Sequence, residues 1–282
     1  MGNLGFHVGM RGVALLNTKH ETRNIRVAHV PANHDSDFRK HSIGNQRAAV
    51  YRENMKFRWI GFLALSWSLP GGSWAGAGEI TRAEVIGVAR SYAELCWEAG
   101  EANVRQGKDP AGVEVFTPSA GAGEAQAGYW LVGKTNTGMP YKWGGFDSPV
   151  SFAAGLRAGK AAGDLYNSGK RQKADAAVSA YAVGVDCSGF ISRCWKLGKK
   201  YGTSTLPSLC VALRSTAELK AGDIMNYDGG HVLLFGAWLD EAKDRARFYE
   251  AEPYSKVIAS EHSVRELAAD GFLPWRYRQI KD

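Results

Sequence analysis

The chain has 282 residues, 45% of them hydrophobic and 11% aromatic, the composition of a globular protein with enough apolar mass to bury a core. Its net charge of +7 is uneven: residues 1–77 carry 10 Lys+Arg against 4 Asp+Glu, leaving 25 against 24 for residues 78–282. The second part is nearly neutral and carries no zinc finger, basic helix or aromatic RNA-binding motif, so nucleic acid is excluded as a partner.

The basic part ends at a distinctive segment that starts at Met55 and reads MKFRWIGFLALSWSLPGGSWAGAGE. Lys56 and Arg58 precede an apolar run from Trp59 to Leu69, then Pro70 and small residues up to Ala77. This is the order of a secretory signal peptide spanning 55–77, and its apolar run is too short to cross a bilayer comfortably. A buried hydrophobic helix is the bland alternative. Export implies a secreted or periplasmic product with no stable membrane span after cleavage. Residues 1–54, which hold five of the seven histidines, then precede the export signal; they are expected to be disordered or absent from a native product that starts at Met55.

From Glu79 to Val104, Val85, Val88, Ala89, Tyr92, Leu95 and Cys96 recur at helical spacing and predict one amphipathic helix. A Gly- and Ala-rich connector (119–128) leads to the turn-rich PYKWGGFDS. Residues 149–182 suggest two short helices around Asn167-Ser168-Gly169. DCSGFISRCWKLGKK then predicts a central helix that begins at Cys187 and runs to Gly198. Beyond Ala221 the pattern changes to strands at 223–227, 231–239, 245–252, 256–260 and 273–280, with a short helix at 263–269. Helices first and strands later imply an α+β fold, and residues 78–282 read as a single domain.

Chemistry gathers at Cys187. A helix N-terminus favours a thiolate through its unsatisfied N–H groups, and the N–H of Cys187 itself is placed to donate to a developing oxyanion. Asp186 stands where a cap would be, Ser188 adds a polar group, and Gly189 lets the first turn approach its neighbour closely. Against this stands the ordinary role of a cysteine as a small buried hydrophobe. After residue 77 only His231 and His262 are available as a base. His231 opens an apolar strand next to Asp228-Gly229-Gly230; His262 lies in a polar stretch that reads as a solvated helix start. If the turn at 240–244 joins antiparallel strands, position sums near 483 place Leu233 opposite Glu250 and His231 opposite Glu252. Both carboxylates then share the side of His231, and spacing does not choose between them.

The order PYKWGG, DCSGF, DIMNY, GGHVLLF and FYEA resembles the NlpC-type papain-like cysteine peptidases, bacterial enzymes that cut peptide bonds in peptidoglycan stem peptides. The resemblance covers roughly residues 138–282. It implies a papain-like fold, a central helix carrying the nucleophile on a five- or six-stranded antiparallel sheet. It further implies Cys187 as nucleophile, His231 as base, Glu250 as the group orienting it, and Tyr141 beside the site, where its hydroxyl serves the oxyanion or the substrate together with Asp186 and Ser188. Two departures stand out. The third residue of that family is more usually His, Asn or Gln, and about 40 residues (146–185) separate PYKWGG from DCSGF where a few are expected. The helical insertion at about 148–182 forms a lid or a wall of the substrate groove.

The expected activity is therefore amide hydrolysis on peptidoglycan or a peptide, with no cofactor. A silent wall-binding module, or an amidase or acyltransferase acting on another acyl substrate, are the competing readings. Export to an oxidising compartment permits a Cys194–Cys210 disulfide with Cys96 buried in its helix, or three buried thiols. No CxxC or His-rich spacing suggests a metal.

Overall fold

The computed structural model describes residues 78–120 and 128–282. The expected leader (1–54), the signal peptide (55–77) and most of the connector lie outside the described residues. Six strands form one antiparallel sheet: β1 (Cys210–Ala212), β2 (Ile224–Asn226), β3 (Val232–Trp238), β4 (Arg245–Ala251), β5 (Val257–Ser263) and β6 (Leu273–Tyr277), in the order β5-β4-β3-β2-β6-β1. Among the described residues five α-helices accompany it: α1 (Arg82–Ala93), α2 (Pro149–Arg157), α3 (Ser168–Lys173), α4 (Cys187–Cys194) and α5 (Val264–Ala269). The architecture is mixed α+β, as the change of periodicity along the chain implies. No described helix is long and apolar enough to cross a membrane.

The sheet carries apolar side chains on both faces because alternate residues of its strands are apolar on both sides. Val232, Leu234, Tyr249, Ala251 and Val257 join a core with Val85, Ala89 and Tyr92 of α1 and Phe190, Ile191 and Cys194 of α4. Leu233, Phe235, Ala246 and Phe248 pack with Val264 and Leu267 of α5 in a second core. The β3–β4 register follows the expected sum at the end that matters, with Leu234 opposite Tyr249 and Phe235 opposite Phe248. A bulge at Gly236 then shifts it by one, so that Ala237 faces Arg247.

α1 begins with a capping box in which Thr81 accepts from the N–H of Glu84 and the Glu84 carboxylate accepts from the N–H of Thr81. The helix stops at Ala93, eleven residues short of the expected Val104. Cys96–Glu98 instead pairs as a strand with Thr135–Thr137. The cause is aromatic: Trp97 is buried edge-on against Trp130 and Phe152, at 5.4 and 5.3 Å between ring centroids, and its Nε1 donates to the Gly138 carbonyl. Helical periodicity yields to that anchor, and Cys96 is left exposed rather than buried in a helix.

Cys194 and Cys210 are both buried and both free, so the expected disulfide between them does not form. Cys194 faces the α1–sheet core, and the Cys210 thiol donates to the Leu206 carbonyl, so each already has a local environment of its own. Burial pushes the Cys194 thiol well up and that of Cys210 up to about 12. A maleimide is therefore expected to label Cys96 in the folded protein and to reach Cys194 and Cys210 only after denaturation, as peptide mass mapping would show.

Asp223 clamps three elements at the entry to β2. Fully buried, it pairs with Arg82 of α1 at 3.0 Å and with Arg276 of β6 at 2.7 Å, and it accepts from the N–H of Lys220. The insertion is anchored in the same manner. α2 and α3 are capped by Ser148 and Asn167, and Ala161–Ala162 pairs in parallel with Ala182–Val183. Buried Asp164 binds Lys170 at 2.8 Å and accepts from the N–H of Phe116.

Candidate active site

Cys187 is the first residue of α4, and the Asp186 side chain caps the helix by accepting from the N–H of Gly189 at 2.7 Å. The N–H groups of Cys187 and Ser188 fall in the first turn, where no helical carbonyl accepts them. Gly189 is required here: a Cβ at this position would collide with the carbonyl oxygen of Gly145 in the PYKWGG loop. That loop is also held by Arg193, whose guanidinium lies 3.7 Å from the Phe146 ring centroid and donates to the Phe146 carbonyl. The helix N-terminus is thus locked against the segment that carries Tyr141.

His231 immediately precedes β3 and is buried at 6% exposure. Its Nε2 meets the Glu250 carboxylate of β4 at 2.7 Å. The other nitrogen, Nδ1, is buried and makes no hydrogen bond of ordinary geometry among the described residues. Burial lowers the basicity of the ring, but the nearby Cys187 and the hydrogen-bonded carboxylate of Glu250 outweigh it and raise the imidazole to about 10. Glu250 is pushed upward by burial and more strongly downward by its hydrogen bonds to His231 and His262, so its net position is well below the ordinary carboxylate range. With Nε2 committed to Glu250, Nδ1 is the nitrogen on the side of Cys187, and no hydrogen bond joins the two side chains.

The remaining expected residues separate into two groups. Tyr141 is buried beside the site; burial, then the charges of Cys187 and Asp186, raise its phenol well above the usual range, so it stays protonated. Among the described residues nothing hydrogen-bonds its hydroxyl, whereas its backbone is fixed by an N–H donated to Ser255 at 3.0 Å. Asp186 and Ser188 use their side chains locally. The Ser188 hydroxyl donates to Asp186 at 3.1 Å, and the second Asp186 oxygen pairs with Lys200. The Asp186 N–H is also taken, by the Gly145 carbonyl at 3.2 Å, so of these two positions only Ser188 has a backbone N–H left in the first turn of the helix.

The pair that strand spacing left open is resolved by contacts. Glu250 reaches His231, while Glu252 accepts from the Ser255 hydroxyl at 2.7 Å and the Tyr254 N–H at 3.1 Å, closing the β4–β5 turn. His262, read from sequence as a solvated helix start, belongs to β5 and sits 2.9 Å from Glu250. Ser260 donates to the same carboxylate oxygen at 2.6 Å. The β4–β5 pairing, with Phe248 opposite Ser260 and Ala246 opposite His262, places both on the side of Glu250. Extending the strand alternation by two residues would have found them.

The linkage between pKa and stability can be signed. Because the folded His231 binds its proton more tightly than the unfolded chain does, this contribution is fully present below the ordinary imidazole range and is lost as pH rises through about 10. Glu250 acts oppositely: its contribution holds above the ordinary carboxylate range and is lost as pH falls through its depressed folded value. Urea unfolding midpoints are therefore expected to fall between about pH 6 and about pH 10 in wild type, and less steeply in Glu250→Gln.

No group of three or more His, Cys, Asp or Glu side chains suited to a metal ion occurs among the described residues. No protein-family model, curated protein or solved structure matches the chain.

Proposed function

We propose that the protein is an exported cysteine hydrolase of papain-like, NlpC-type design that cleaves amide bonds in peptidoglycan stem peptides. The observation that carries this reading is the buried His231–Glu250 contact at 2.7 Å, with Cys187, at a helix N-terminus, close enough to act on the same imidazole. A carboxylate on one imidazole nitrogen stabilises the imidazolium and leaves the other nitrogen to serve the nucleophile. The motif order and the leader add the substrate class and the cell-envelope location.

In the proposed sequence of steps the Cys187 thiolate adds to the amide carbon, and the carbonyl oxygen becomes an oxyanion near the Cys187 N–H and the Tyr141 hydroxyl. The C–N bond breaks as His231 gives its proton to the departing amine, leaving a thioester. Water, deprotonated by His231, attacks the thioester carbon; the S–C bond breaks and the thiolate returns. Glu250 holds the ring throughout. Beside Tyr141, the rings of Trp143, Tyr166 and Tyr254 stand in a row with centroids 5.7 and 6.0 Å apart, which suits them to the wall of an extended groove.

The test is digestion of purified peptidoglycan by the mature protein, with released fragments weighed and an iodoacetamide-treated sample as control. Fragments each bearing a new amine or a new carboxyl group are expected from the untreated enzyme alone. Fragments joined to an added amine would assign acyl transfer, and no fragments from either sample would remove the peptidase reading.

A further inference from the structure

Glu250 is the centre of a larger arrangement than a triad requires. Its side chain is 7% exposed and both oxygens are occupied: Oε2 by His231 at 2.7 Å, Oε1 by the Ser260 hydroxyl at 2.6 Å and by His262 Nε2 at 2.9 Å. A carboxylate held at one oxygen swings about its terminal torsion, a broad two-fold rotor; a second anchor on the opposite oxygen removes that freedom. The Ser260 hydroxyl donates its single proton to Oε1, so the His262 N–H is shared between Oε1 and the Ser260 oxygen, 3.1 Å away. The His262 ring is in turn set edge-on against Phe248, at 5.9 Å between centroids.

Resting on the Cys187–His231–Glu250 reading, we infer that His262 is a positioning residue, a fourth member of the site that grips Oε1 of Glu250 and thereby aims Oε2 at His231. It does not touch the reacting atoms. Its side chain is 35% exposed, against 8% for His231, so it closes the solvent side of the carboxylate while the catalytic imidazole stays buried. A charge-assisted bond of this kind is short and directional, and its loss leaves Oε1 of Glu250 held by Ser260 alone. The effect expected is partial, smaller than removal of Glu250 itself.

The test reads the thiol, not the substrate. The second-order rate of Cys187 carboxamidomethylation by iodoacetamide is measured by peptide mass in wild type, Glu250→Ala, His262→Leu and His262→Gln. Leucine keeps the bulk against Phe248 without a donor; glutamine restores an N–H near the Nε2 position. His262→Leu is expected to react about tenfold more slowly than wild type, since the bond lost is one to a charged group while Ser260 retains part of the hold. His262→Gln should recover to within about threefold, a residual of about 0.7 kcal/mol. Should leucine disturb the β4–β5 packing, as thermal unfolding would reveal, His262→Asn, whose amide falls short of Oε1, carries the same expectation as leucine. A donor-less variant as fast as wild type while Glu250→Ala is slowed, or a glutamine variant as slow as leucine, overturns the role of His262. A wild-type Cys187 no more reactive than exposed Cys96 would instead overturn the underlying Cys-His reading.

Discussion

Cys187→Ala is expected to abolish fragment release from peptidoglycan, with kcat/KM lower by about 10⁴-fold or more, while the unfolding temperature stays within a few degrees of wild type. The magnitude follows from the role: a nucleophile has no substitute in its own active site, and what survives its loss is the small contribution of binding and oxyanion donors. The fold should survive because the sulfur is not a structural centre of α4. Asp186 caps the helix, Gly189 seats it against Gly145, and Phe190, Ile191 and Cys194 supply its core face, none of which depends on the Cys187 thiol. The measurement pairs initial rates with a melting curve on the same preparation. Residual activity within tenfold of wild type would place the nucleophile elsewhere.

The second large effect is on stability. Asp223→Ala is expected to lower the free energy of unfolding by about 3 kcal/mol, equivalent to a fall of roughly 6–12 °C in Tm for a domain of this size. Asp223 is completely buried and answers two guanidinium groups, those of Arg82 and Arg276, whose side chains are 15% and 24% exposed. Removing the carboxylate leaves Arg276 with no anionic partner and Arg82 with only the exposed Asp282, at a site where water reaches both cations poorly. The lower end of the range for a broken buried pair applies because neither guanidinium is wholly cut off from solvent. The loss spreads because Asp223 joins the first turn of α1, the start of β2 and the β6 strand; Arg82 also donates to the Ala221 carbonyl and Arg276 to that of Glu218. Asp223→Asn, which keeps one acceptor, should lose less. A denaturant titration showing no more than about 0.5 kcal/mol of change in Asp223→Ala would make this an ordinary surface-like ion pair.

The aromatic row on the side of α2 and α3 is assembled from segments far apart in the chain. Trp143 is the tryptophan of the PYKWGG loop, Tyr166 lies between α2 and α3, and Tyr254 is in the β4–β5 turn, yet their rings meet in a row. The anchoring pair Asp164–Lys170 fixes the middle member, since Asp164 is two residues from Tyr166 and wholly buried.

What residue order alone determined was local and periodic. Alternation of apolar residues marked the strands from Ile224 onward, the turn at 240–244 set the β3–β4 register near the site, and Asp186 before Cys187 announced a capped helix start. These depend on neighbours within a few positions, where the spacing of side chains on a helix or strand is fixed by backbone geometry. Tertiary structure decided the rest. It stopped α1 at Ala93 because Trp97 finds Trp130 and Phe152, partners more than thirty residues away. It ended α4 at Cys194, short of Gly198, where Trp195 turns to stack on Tyr277 at 4.8 Å. It kept Cys194 and Cys210 apart in separate surroundings, and it chose Glu250 over Glu252 by giving the second carboxylate a turn to close. It brought His262 to the carboxylate by carrying β5 to Ser263. The ends of α1 and α4 rest on contacts between distant segments, and periodicity within one segment carries no information about which distant partner will arrive.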